Sequence, residues 1–162
     1  MHARQLAFLL AVVCFGNAFA RPFRIWEPEE LSEKADVVLI GVVTEVVETG
    51  ETSTIRLGDR PPLPVKVCRA SIRVIERIKG DVSGGITLVF AGLDDAKIGK
   101  GKDPVFILNP PDRIWVRTDA MHLMYLKRTE SQNAYVGALD GDYDDGQAVK
   151  LLSTAPPGAP HR

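Results

Sequence analysis

The chain has 162 residues, with 20 Lys plus Arg against 21 Asp plus Glu and a formal net charge of −1 at pH 7. Such a balance gives no global electrostatic pull toward nucleic acid or an anionic membrane surface, so functions that rest on bulk charge are set aside. The length fits one domain able to bury about two thirds of its unfolded surface.

Residues 1–20 have the layout of a secretory signal: Arg4 near the start, an apolar run from Leu6 to Phe15, and Ala18-Phe19-Ala20 as an A-x-A cleavage site. Cleavage after Ala20 predicts a mature chain from Arg21 and a secreted or periplasmic protein. Removing 20 residues from 162 leaves 142, and because the leader carries Arg4 and no acid, the mature net charge is −2. The apolar run is shorter than the about 20 residues a spanning helix needs, and no membrane span is expected. Cys14 does not make the leader a lipoprotein signal, because bulky Val13 stands where processing requires a small residue. Its removal leaves Cys68 as the one cysteine, so no intramolecular disulfide can form. The favoured reading of Cys68 is a small buried hydrophobe; the alternative is a reactive thiol or one that links two chains into a disulfide-bonded dimer.

Glu27 to Ala35 predicts a short helix, with Pro28 in its first turn and acids at the positive end of its dipole. Trp26, with Phe23 and Ile25, is placed to cover one end of the core or staple the start of that helix. The stretch Val37 to Val47 is the most apolar and β-branched of the chain and predicts a strand. Its first half is apolar at every position, as if buried on both faces, and Gly41 marks a bulge or bend. Gly50 to Pro64 predicts a loop, since Arg60-Pro61-Pro62-Leu63-Pro64 does not suit a sheet interior.

A second strand is predicted from Val65 to about Ile78. Cys68, Ala70, Ile72 and Val74 alternate with Arg69, Ser71 and Arg73, one face in and one out. The phase slips after Val74, which predicts a bulge near Ile75. Ile86 to Phe90 makes a third strand, Met121 to Lys127 a fourth and Ala134 to Leu139 a fifth. Ile114-Trp115-Val116 predicts an edge strand, Val105 to Leu108 a short apolar piece, and Gln147 to Leu152 the last ordered piece. The Pro- and Gly-rich tail 153–162 predicts disorder. The expectation is one all-β domain over 21–152 with one short helix: a small five-stranded OB-like Greek-key barrel, whose closure removes exposed edges.

Glu30-Leu31 to Ala35-Asp36-Val37-Val38, Gly41-Val42-Val43, Val74 to Ile78-Lys79-Gly80, Tyr125 to Arg128 and Gly141-Asp142-Tyr143 together resemble a family. It comprises exported bacterial OB-fold proteins similar to the N-terminal domain of tissue inhibitors of metalloproteinases and to netrin-like modules. The resemblance spans about Glu29 to Leu152 and implies the same barrel. Inhibitors of that kind chelate the protease zinc with a disulfide-tied N-terminal cysteine. This chain, starting near Arg21-Pro22 with no cysteine before Cys68, is not expected to use that route.

No catalytic constellation emerges. The mature chain holds His122 and His161 alone as imidazole bases, and His122 in a core strand reads as structural. A pair of Cys68 with His122 lacks any local motif of a thiol enzyme. Two histidines and one cysteine fall short of a zinc site, so no metal or cofactor is expected. Asp140 to Asp145 looks like the start of a calcium loop, but Gly146 falls one place late and Leu151 stands where a bidentate Glu closes such a loop. A solvated turn is the preferred reading. Lys97 to Lys102 lacks a phosphate-loop pattern. Arg69, Arg73 and Arg77 have no aromatics between them for stacking bases, so no nucleic-acid partner is expected. The function these residues favour is non-enzymatic binding, with another exported or cell-envelope protein as partner. The alternative is an inhibitor or regulator of an exported protease.

Overall fold

The computed structural model describes residues 24–55, 63–82, 84–93, 113–139 and 144–154. The leader 1–20, Lys97 to Lys102, Val105 to Leu108, Asp140 to Tyr143 and His161 lie outside the described residues.

Helix α1 (Pro28–Lys34) forms where expected. Pro28 sits in its first turn, and the Glu30 carboxylate accepts the Glu27 N–H at 3.1 Å. Acids at its start and Lys34 in its last turn complement the dipole. The helix stops at Ala35, whose backbone is extended. Its last carbonyls do not wait for water, because Lys79 Nζ donates to Ser32 O at 2.5 Å and Ala35 O at 2.6 Å.

Six strands follow: β1 (Val37–Ile55), β2 (Leu63–Lys79), β3 (Gly85–Leu93), β4 (Met121–Arg128), β5 (Ala134–Gly137) and β6 (Val149–Ser153). β1 runs antiparallel to β2, and its Val37–Val42 half pairs also with Leu126–Met121 of β4. β2 pairs antiparallel with β3, β3 pairs parallel with β5 at Thr87 and Leu88, and β5 pairs with β4. The neighbours β1-β2-β3-β5-β4 thus return to β1, and β6 extends the sheet from β4. Among the described residues the fold is mostly β with one short helix, and five of the six strands form a ring-like sheet.

Inside the ring lie Val37, Leu39 and Val43 of β1, Ala70 and Ile72 of β2, Ile86 and Leu88 of β3, and Met124 and Leu126 of β4. A second cluster packs under α1, where Leu31 and Ala35 meet Val38, Tyr125, Ala138 and Ala148. Alternate residues of β1 therefore enter different cores, which is why its first half carries no polar position. Trp26 leans on the second cluster, while Ile25 is exposed.

The register explains the slipped phase of β2. Ile40 pairs with Glu76 and Gly41 with Val74, so Ile75 is the extra residue of a bulge; Ile78 is skipped in the same way between Lys79 and Arg77. Both isoleucines are exposed. Gly41 lies beside the first bulge, where a Cβ would stand 2.5 Å from Ile72 Cγ2.

Several boundaries differ from expectation. β1 does not end at Val47 but runs to Ile55, because Gly50, at φ +79, absorbs a register shift after which Thr52–Ile55 pair with Lys66–Leu63. Pro64 lies within β2, beyond the first β3 pair at Val65, at a strand end where a sheet tolerates proline. Ile114-Trp115-Val116 is not a strand; the segment crosses the ring with Ile114 in the core. β5 stops at Gly137, against which the Asp145 carboxylate rests where a Cβ would clash, and Ala138 bonds Tyr125 O at 2.9 Å. A 3-10 turn (Asp145–Ala148) precedes β6, and Ser153 ends that strand rather than opening the tail.

Gly41→Ala is expected to cost about 1–3 kcal/mol, the range for overpacking a fitted core, read as a lowered urea midpoint with an unchanged slope. Lys79→Met keeps the alkyl stem but removes both bonds to α1, and about 1–2 kcal/mol of stability should go with them. Hydrogen exchange should place that second loss at Leu31 to Ala35.

Candidate functional site

The ring has a place where its pairing gives out. β4 accompanies β1 only as far as Val42, and β5 accompanies β3 only at Thr87 and Leu88. Beyond those points β1, β2 and β3 continue as a three-stranded sheet whose inner face has no strand opposite among the described residues. The segment Arg113 to Val116 lies across it instead, leaving a groove of about 380 Å³.

Val46 of β1, Cys68 of β2 and Phe90 of β3 supply apolar surface to this groove, and Ile114, Trp115 and Val116 form the facing wall. Trp115 is 64% exposed and Val46 and the neighbouring Val47 are exposed as well. Charge is confined to the margin. Glu48 and Arg113 reach the groove, and Glu48 is paired with Lys66 at 3.1 Å. Next along the hairpin, Arg69 stands 3.9 Å from Glu51. These exposed pairs add little stability and leave the margin polar.

Cys68 is free and 8% exposed. Burial pushes its thiol pKa up, the Glu48 carboxylate adds to that, and the Gly92 backbone and Lys66 oppose it. A raised pKa and little exposure make a poor nucleophile, which fits the reading of Cys68 as a small hydrophobe. Its neighbour is equally constrained, since a Cβ on Gly92 would stand 3.2 Å from Cys68 Sγ.

The other residues singled out by sequence do not converge here. His122 is fully buried and faces the ring interior beside Met124. Its ring bonds backbone atoms, Ala120 O at 3.1 Å through Nδ1 and the Arg117 N–H at 3.4 Å through Nε2. Arg77 pairs with Asp81 at 3.0 Å on the far part of β2. Of the acidic run, Asp144 and Asp145 are described and lie at the 3-10 turn. Among the described residues no three His, Cys, Asp or Glu side chains gather as a metal site, and no helix is long and apolar enough to cross a membrane.

The sequence reading missed Trp115 as a surface feature, having assigned it to an edge strand. The usable signal was Ile-Trp-Val between Arg113 and Arg117, an apolar triplet bracketed by cations.

Native Cys68 is expected to react with 5,5′-dithiobis(2-nitrobenzoate) at least tenfold more slowly than in urea, a difference read directly from absorbance at neutral pH. Equal rates would remove the buried-hydrophobe reading.

No protein-family model matches the sequence, and no curated protein matches it.

Proposed function

We propose that this chain is an exported, non-enzymatic β module that binds another protein through the groove between Cys68 and Trp115. The observation that carries the reading is Trp115, 64% exposed on the wall of an apolar groove. An aromatic anchor in an apolar centre, with charge held to the rim, is how protein interfaces concentrate binding energy. Export rests on the leader pattern of residues 1–20. The five-strand ring with one short helix among the described residues supports a likeness to netrin-like barrels, and the absence of a cysteine between Arg21 and Val67 argues against their zinc-chelating amine.

The test is capture from the source organism's secreted or periplasmic fraction with the mature chain from Arg21 as bait, beside a Trp115→Ala bait. A protein enriched on the first and reduced at least tenfold on the second is the expected result, as truncating an anchor of about 2 kcal/mol implies. A protease in that position makes the module an inhibitor. Equal retention by both baits, or nothing retained, overturns the reading.

A further inference from the structure

His122 is the one buried side chain of polar or charged type among the described residues. Both of its ring nitrogens serve one short segment. Ala120 O can only accept, so Nδ1 carries the hydrogen; the Arg117 N–H can only donate, so Nε2 is bare. One neutral tautomer satisfies both bonds, and the protonated ring cannot, because its Nε2–H would face the Arg117 N–H.

The rest of the segment divides at this point. Its far end is fixed to β1 without help from the imidazole, by Asp119 N to Val43 O at 2.8 Å and Val43 N to Ala120 O at 3.3 Å. Between the two ends is the turn at Thr118 and Asp119, with Asp119 at φ 60. The near end, Ile114 to Val116, is the wall of the groove.

We propose that His122 is a pH-operated catch: its neutral ring holds Arg117, and its protonation frees the wall Ile114 to Val116, with Ile114 drawn from its seat in the ring core, to swing about the Thr118-Asp119 turn while the strands remain paired. The device holds whatever occupies the groove, because it concerns the wall alone.

Among the described residues no charged neighbour stabilises a proton on the ring. On β1 the register sets Gly41 opposite His122, between Ile40 and Val42, with exposed Glu45 further along; on β6 it sets Leu151 opposite, beside Lys150. The crossing segment brings Arg113, Arg117 and Asp119, and β4 itself Tyr125, which enters the second cluster, and Lys127 and Arg128 at its far end. None forms an ion pair with the imidazole. Burial holds the imidazole pKa below its ordinary range, and the Ala120 carbonyl opposes that only in part.

The sign follows from linkage. An open wall exposes an imidazole of ordinary pKa, about 6.5, which takes a proton that the closed form refuses. Closure is strongest above that pH and weakens as pH falls below it, the opening equilibrium rising roughly tenfold per pH unit until the lowered pKa of the closed form is reached.

NMR on the mature chain tests this, following the His122 imidazole, the Ile114 methyls and hydrogen exchange, corrected for intrinsic rates, at Arg117, Ala70 and Ile72. Between pH 7.5 and 5.5, Arg117 protection is expected to fall about tenfold and the Ile114 methyls to shift, with Ala70 and Ile72 unchanged. His122→Gln, whose side-chain oxygen can accept from Arg117 without titrating, should abolish the pH dependence. Should that variant fail to fold, the wild-type comparison decides alone. The proposal is overturned if Arg117 protection is independent of pH, if Ala70 and Ile72 lose protection together with it, or if a folded His122→Gln chain keeps the dependence.

Discussion

The burial of β1 from Val37 to Val43 on both faces, with Ile40 half-buried, is the constraint from which the rest of the fold follows. β2 lies on one edge and β4 on the other, the ring core takes Val37, Leu39 and Val43, and the helix-covered cluster takes Val38. A fully buried aliphatic side chain contributes about 1.5–3 kcal/mol, so a polar residue anywhere in this half would be costly. The same crowding leaves no room for a side chain at Gly41 and forces the excess length of β2 outward at Ile75 and Ile78. The chain must also enter β1 at a fixed angle. Asp36 sets it: its N–H bonds Leu126 O at 2.9 Å, and its carboxylate accepts the Arg128 N–H at 2.9 Å.

That corner gives a physical meaning to the motif pieces that carried the family resemblance. Leu31, Ala35 and Asp36 come from the helix and its exit, Lys79 and Gly80 from the end of β2, and Leu126 and Arg128 from β4. Lys79 closes the helix, and Gly80, at φ +79, passes so near Asp36 O that no side chain fits. Residues widely spaced in sequence thus meet at one three-dimensional joint. They specify how the helix is fastened to the ring, which is why they spoke for fold more clearly than for function.

Local periodicity made most strands legible, including the bulge at Ile75, because a phase slip in a two-residue period is visible without tertiary knowledge. It failed where pairing partners decide. Thr52 to Ile55 is polar enough to read as loop, and it is a strand because β2 extends beside it. Ile114 to Val116 is apolar enough to read as strand, and it is not one because the β1 edge near it is already bonded by Asp119 and Ala120. The groove was illegible for the same reason. It is made by the points at which β4 leaves β1 and β5 leaves β3, and no single segment encodes where two others part.

A fully closed ring of this size fills its interior with side chains and offers a partner little beyond loops. Here the pairing stops short, and among the described residues a crossing segment is what covers the inner face of three strands. The groove keeps its depth because its floor is built from small groups: Cys68 and Gly92 lie so close that a methyl at 92 would already press on the thiol. Its wall is a segment held by few backbone bonds, one of them to the only buried imidazole among the described residues. The sheet is stable where both of its faces are covered, and its open apolar surface is where that covering runs out.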